Sequence, residues 1–466
     1  VKVHSWSRCA VAAALSLSVA GCVAPPADPA AGTPGLGDPY YPMDGNGGYD
    51  VSHYDVQISY DPPTRRLAGS TRIEAVSTQA LHIFELDYRG PAVQNVLLDG
   101  EPATFYPSDQ HELVVIPMSP LPSGRSFTIT VDYAGEQSDM THAGWTPLPD
   151  GGSFVAGEPH SATTWFPLND TVLNKATFSL QATVPAAWQV VSNGVKTGEI
   201  VNGDTRTVNW ATGHPVAGYQ TTIAIDHFDY LEQRRADGTP LVSVFAPGAA
   251  DARDLAARLP EVLDFLESLY GPYPFEAAGG IYLGTDLHFS LETQTRPTYT
   301  SPPSLRTIVH ENAHQWWGNS MSITHWSDIC LNECFAGYTA DYLWPERKEG
   351  KDIDAVYRET IAKHLADPEF WRIPLADPGA GHEFTSVYSR GPLFLHALRR
   401  LIGDDVYFAA VREFVQHHLD GNASMPELRS YLRSRSSVDL GPFFAAWLDR
   451  TTPPSDEYLY PGNLHR

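Results

Sequence analysis

From Tyr49 onward, apolar and polar residues alternate with a period of two. Tyr54, Val56, Ile58 and Tyr60 follow this rhythm, as do Phe127, Ile129, Val131 and Tyr133, then Phe178, Leu180, Ala182 and Val184, and finally Ile223 and Ile225. Successive side chains of a strand point to opposite faces, so such alternation marks strands with one buried face. Turn formers separate the runs: Asp61-Pro62-Pro63, Asp99-Gly100, Ser123-Gly124, Ser192-Asn193-Gly194 and Asp237-Gly238. With no helical period between them, the runs predict an antiparallel β domain over residues 49–236.

Near Arg235–Gly238 the period changes. One further strand, Leu241–Phe245, precedes a predicted helix over Asp251–Tyr270. There Leu255, Leu259, Val262, Leu263, Leu266 and Leu269 recur at helical spacing. Gly271-Pro272-Tyr273-Pro274 ends it. A Gly-rich strand region, Ala278–Glu292, leads to Ser301-Pro302-Pro303-Ser304, an N-cap signal for the next helix. Beyond Glu333 the chain reads as helical to Leu448, with one stripe from Leu395, Leu398 and Ile402 and another from Tyr407, Val411, Phe414 and His418. The predicted class is α+β multidomain: the β domain, then a mostly α-helical domain over 237–452 and a C-terminal tail over 453–466.

The region before Tyr49 has a different composition. Residues 22–48 are rich in Pro, Gly, Ala and Asp with almost no aliphatic bulk, which predicts a tether. Ahead of it, Lys2 and Arg8 precede an apolar run, Ala10–Ala20, too short for a bilayer span. Residues 1–21 therefore read as a signal peptide. Val19-Ala20-Gly21 before Cys22 resembles a lipobox, which implies a lipid on Cys22 and an anchored, extracytoplasmic protein; ordinary cleavage and secretion is the alternative. The net charge of −24 over 466 residues argues against a nucleic-acid partner.

The stretch Thr307–Gly337 carries the chemistry. His310, Glu311 and His314 form His-Glu-x-x-His, and Glu333 follows after 18 residues. Residues four apart on a helix share a face, so both imidazoles can reach one ion. Two imidazoles and a carboxylate form the three-ligand set of a catalytic zinc site, with one position open for water. Glu311, next to a ligand, stands where a general base for that water belongs. Gly318 removes a side chain on the ligand face, where another element must come close. Cys330 and Cys334 flank Glu333. A zinc role is disfavoured because the other three residues complete a set, and a disulfide and two buried thiols both stay open, since a regular helix holds such a pair somewhat too far apart for a relaxed bridge.

HENAHQWWGN followed by WSDICLNECFAG resembles the aminopeptidase N-like zinc metallopeptidases, which are gluzincins. Trp165-Phe166-Pro167 with Asp170 and Lys175-Ala176-Thr177-Phe178, and the stretch LYGPYPF at Leu269–Phe275, are similar to further family signatures. The resemblance covers about residues 49–452. It implies a thermolysin-like catalytic domain, one Zn²⁺ held by His310, His314 and Glu333, and Glu311 as base. It also implies a carboxylate for the free ammonium of a peptide substrate, carried to Glu292, although Phe289-Ser290-Leu291-Glu292-Thr293 matches the family motif only at the Glu. Tyr388, in Tyr388-Ser389-Arg390-Gly391, matches the family's oxyanion-stabilising Tyr with Arg in place of Lys.

Weaker candidates are Glu158, for the substrate's amino end, and Asp328, either orienting a ligand His or capping a helix. His288, His325, His382 and His396 read as structural or exposed. Larger relatives continue into a helical C-terminal domain that roofs the site, so this chain's expected cleft is more open. The expected activity is that of a zinc aminopeptidase. A zinc endopeptidase, or an inactive peptide-binding lipoprotein, is the alternative.

Overall fold

The computed structural model describes residues 30–108, 111–137 and 144–465. The period-two runs fold as expected into the strands of a β domain. Its largest sheet has eight strands, with Tyr49–Asp61 at the centre between Thr177–Pro185 and Arg66–Ser77. Val56, Ile58, Phe178, Leu180, Ile129 and Val131 point into one core with Trp145, Trp165 and Phe166. One pairing departs from the antiparallel expectation. Tyr49–Asp61 runs parallel to Thr177–Pro185, with His53 opposite Thr177, because these strands are joined by a long crossover rather than a hairpin. A four-stranded and a three-stranded sheet complete the domain.

A further sheet reaches back across residue 237. Strand Asp229–Arg234 pairs with Pro240–Phe245 and belongs to a five-stranded sheet with Ala278–Tyr282, Thr298–Tyr299 and Ser290–Leu291. The helix expected over 251–270 is broken. It runs as a short turn to Ala256 and then as Leu259–Tyr270, with Pro260 in the first turn of the second piece. Pro has no N–H to give to the preceding turn, so the ladder restarts there. Ser304 caps helix Leu305–Ala313 by accepting from the Thr307 N–H at 3.1 Å. Helices Cys330–Tyr338 and Val387–Ile402 cross so closely that a Cβ on Gly391 would lie 2.4 Å from Cys334 Sγ. No helix among the described residues is long and apolar enough to cross a membrane.

The two segments read as a tether and a C-terminal tail are packed, as far as they are described. Of the expected tether, residues 30–48 lie across both domains. Gly32 N–H donates to the Ile83 carbonyl at 2.8 Å, Asn46 is buried, and the hydroxyls of Tyr40 and Tyr41 donate to Asp377 at 2.6 Å and Glu383 at 2.9 Å. Tyrosines and turn-forming glycines let a segment poor in aliphatic residues order itself through hydrogen bonds to a pre-formed surface. The expected tail also docks: Leu459 and Leu464 are buried, and the Leu459 carbonyl accepts from Tyr357. The predicted signal peptide and Cys22 lie outside the described residues.

Candidate active site

Helix Leu305–Ala313 ends one residue before His314, which keeps helical angles as its C-cap, so His310 and His314 stack on one face. Glu333 approaches from helix Cys330–Tyr338. The Nε2 atoms of the two histidines lie 3.2 Å apart, and Glu333 Oε2 lies 3.2 Å from one and 3.5 Å from the other. Tetrahedral zinc with ligand bonds of ~2.0–2.1 Å holds its donors about 3.4 Å apart, so the triangle has the dimensions such an ion requires. The donor chemistry agrees. His314 Nδ1 sits 2.9 Å from the Trp317 carbonyl, which fixes its proton there and leaves the Nε2 lone pair facing Glu333. Glu333 Oε2 has no hydrogen-bond donor of its own. Although burial works against ionisation, the adjacent His314 and His310 hold the Glu333 carboxyl down at about 2. The residues fit a zinc ion.

The turn after His314 is locked from three sides. Gly318 has φ +126°, and a Cβ there would meet the Asn332 side chain at 3.2 Å and His314 Nδ1 at 3.4 Å; this is the close approach read from the motif. Trp316 Nε1 donates to the Gly271 and Pro272 carbonyls of the LYGPYPF stretch. Lys175, from the β-domain signature, donates to the carbonyls of Asn319, Ser320 and Gly421. Both outlying signatures therefore act as braces for the turn that follows the ligand helix.

A cleft of about 500 Å³ opens over the triangle and is lined by Glu158, Glu292, Glu311 and Tyr388 among others. Carboxyl oxygens of Glu292 and Glu311 and a ring nitrogen of His314 lie within 4.8 Å of one another. Burial pushes Glu311 up to about 8, so this carboxylate takes up a proton readily at neutral pH. Tyr388, 42% exposed, stands with its ring 6.2 Å from that of His310. Desolvation and then the surrounding carboxylates push its phenol up, so it keeps its proton and can donate.

Glu158 reaches this cleft from the β domain. Burial first, then the charge of Glu292, push its carboxyl well up, and Oε1 has no partner. Glu292 is also raised by burial, and Glu333 adds to this; Tyr219 donates to its Oε1 at 3.3 Å. Two buried carboxyl groups lining one cleft with so few donors form a place for a cation with N–H groups.

Other sequence readings divide. Asp328 makes no hydrogen bond to either ligand histidine among the described residues and does not cap the helix that follows it; its Oδ1 accepts from Met425 N–H in the first turn of helix Met425–Arg435, whose N-cap is Ser424. His396 is structural, buried between Asp354 and Tyr338, and His288 is exposed, at the rim of the cleft; both agree with the expectation. Cys330 and Cys334 are disulfide-bonded with Cα atoms 4.8 Å apart, nearer than the ~6 Å of a regular helical turn. Arg390 is wholly buried and donates to the carbonyls of Trp371, Ile373 and Trp447; it anchors the start of the Tyr388 helix.

Sequence reasoning missed the support behind Glu292. Gln220 Nε2 donates to the Tyr219 hydroxyl at 2.8 Å and to the Gly318 carbonyl at 2.8 Å. Asn319 Nδ2 donates to the Glu292 carbonyl at 2.6 Å. Tyr219 and Gln220 carry no local spacing signal; only the fold brings them to the ligand turn.

Comparison with known proteins agrees with this geometry. Residues 278–447 match the model of the peptidase family M1 domain, and residues 51–219 match that of the peptidase M1 N-terminal domain. Aminopeptidase M1 of Arabidopsis thaliana is 24% identical over 69% of this chain and 38% of its own length. Endoplasmic reticulum aminopeptidase 1 of Homo sapiens is 25% identical over 83% of this chain and 46% of its own length. The chain thus spans half or less of the length of these curated relatives. An M1 zinc metallopeptidase mutant from Deinococcus radiodurans, solved alone and bound to a Tyr-Ser-Ala substrate, superposes with a TM-score of 0.82 at 26% identity, covering 90% of this chain and 99% of that one. With both halves matched in order and the His-His-Glu set in place, the chain belongs to peptidase family M1.

Proposed function

We propose that this protein is a zinc-dependent aminopeptidase that removes residues from the free N-terminus of peptides. The observation that carries the reading is a pair of carboxyl groups in the cleft of the His310–His314–Glu333 triangle: Glu158, whose Oε1 is buried without a partner, and Glu292, whose carboxyl accepts from Tyr219. Endopeptidase chemistry needs the triangle and the base but has no use for a second pair of carboxylates. A peptide complex of the D. radiodurans relative supports the substrate class.

His310, His314 and Glu333 would hold a zinc ion, which would acidify a water and polarise the scissile carbonyl. Glu292 and Glu158 accept hydrogen bonds from the peptide's ammonium and so fix the first peptide bond over the triangle. Glu311 takes a proton from the attacking water and returns it to the departing amine. Tyr388 donates its O–H to the carbonyl oxygen as negative charge develops there.

The test uses aminoacyl fluorogenic substrates with the zinc-loaded protein. Hydrolysis is expected, lost on chelation and restored by zinc, with an N-acetylated peptide resisting cleavage. Equal cleavage of the acetylated and free forms would sink the exopeptidase reading. Tyr219→Phe removes the one side-chain donor to the Glu292 carboxyl among the described residues, without touching the cleft wall. A rise in KM of about 5-fold with little change in kcat is expected, about 1 kcal/mol for one hydrogen bond; an unchanged KM refutes the positioning role.

We further propose that the protein is exported and held at the membrane by a lipid on Cys22, a reading supported by Lys2, Arg8 and the apolar run before Val19-Ala20-Gly21-Cys22. Cys22→Ala is expected to move activity from the membrane pellet to the soluble fraction. Identical partition of both forms would contradict it.

A further inference from the structure

A second cavity lies in the β domain, apart from the cleft. It has a volume of about 390 Å³, and Asp44, Asp87, Glu112 and Asp170 are among the residues that line it, with Arg89 and His160. None of these residues borders the cleft. Asp87, Glu112 and Asp170 are 6%, 3% and 5% exposed. With Asp44, they come from four separate parts of the chain: the ordered segment before Tyr49, the ends of two strands of the three-stranded sheet, and the loop after Trp165-Phe166-Pro167.

Hydrogen bonds compensate these carboxyls unequally. Asp87 accepts from Gly45 N–H at 3.2 Å, Asn46 Nδ2 at 3.0 Å and Asp170 N–H at 2.8 Å. Glu112 shares the same Asn46 amide at 3.2 Å, and Asp44 pairs with His160 at 2.7 Å. Asp170 Oδ2 is buried with no partner at all. A carboxylate oxygen in that position is costly unless something positive comes to it. The peptidase chemistry leaves Asp170 without a role, although it stands in a family signature. Arg89 on the same wall offsets part of the charge at Asp170 without bonding to its Oδ2, and the carboxyls still act on one another: burial and then Asp87 push Glu112 up to about 8, and burial pushes Asp87 up to about 7.

We propose that this cavity is a binding site for an organic cation, a guanidinium or ammonium group received by Asp170 with Glu112. The volume is many times that of a single ion. The carboxyl oxygens also line the wall without converging into a compact three-ligand group like the one at His310, His314 and Glu333, whereas N–H donors spread over a planar or branched cation can reach several carboxylates together. The site is independent of the peptidase reading and stands or falls without it.

The experiment is thermal unfolding of the full zinc-loaded chain with added agmatine and, in a separate arm, calcium chloride. Agmatine is expected to raise Tm by about 2 °C or more at saturation, and Asp170→Asn to remove at least half of that gain. Because agmatine can also enter the cleft, its inhibition of peptide hydrolysis is measured in parallel, and Asp170→Asn should leave the inhibition constant unchanged. If Asp170→Asn does not fold, Glu112→Gln carries the same comparison. A gain with calcium alone, lost in the same variants, overturns the organic cation in favour of a metal. No gain in either arm, or equal gains in wild type and both variants, overturns the site.

Discussion

Glu311→Gln is expected to lower kcat by about 10³-fold while the protein still binds one zinc and unfolds at an unchanged temperature. The size follows from the loss of a positioned general acid–base, worth 10²–10⁴-fold, or roughly 4 kcal/mol of barrier. Glutamine keeps the shape and volume of the side chain, so neither the helix nor the cleft wall has reason to move. The metal should stay because His310, His314 and Glu333 make a closed triangle without Glu311. Kinetics alone do not separate loss of the base from loss of the metal, so zinc content by atomic absorption must accompany the rate. Full activity with bound zinc refutes the assigned base. Loss of zinc along with the rate shows that Glu311 holds the site together as well.

What the chain's pattern reveals about this molecule follows the range of each interaction. The zinc set is legible because two of its members are tied by the pitch of one helix and the third sits in an adjoining segment of apolar, helical pattern. Gly318 is legible because a missing side chain on the ligand face is itself a local signal. The core strands are legible through their alternation, yet the parallel pairing of Tyr49–Asp61 with Thr177–Pro185 is not, since period two is the same for both directions. Glu158 could only be guessed at, because it belongs to a different domain and nothing near it in the chain marks it as catalytic. Residues 30–48 show the opposite error. Their composition lacks the aliphatic bulk of a core, but Tyr40, Tyr41 and Asn46 order the segment through polar contacts made to residues 41 to 342 positions away. Composition reports what a segment can bury by itself and is silent on what it can dock against.

Replacing both Glu158 and Glu292 with glutamine is expected to cost about 10²–10³-fold in kcat/KM for peptides with a free N-terminus, yet leave a protein at least as stable as the parent. The first half rests on the cost of removing carboxylates that meet a buried ammonium, 2–5 kcal/mol for such charge pairs. The second half rests on electrostatics in the free protein. Burial lifts both carboxyls, the charge of Glu292 lifts Glu158 further, and Glu333 adds to the strain on both. Each carboxyl is thus costly to ionise in the free protein, and the ammonium of the substrate supplies the charge that favours the ionised form. Neutral amides of the same shape remove that cost before any substrate arrives, the usual opposition between stability and function at a binding site. The double variant should therefore show an unchanged or higher Tm with sharply lower activity, and its preference for free over N-acetylated peptides should shrink towards unity. A lowered Tm would mean that the two side chains serve the fold instead. An undiminished preference for free N-termini would mean that the ammonium is read elsewhere in the cleft.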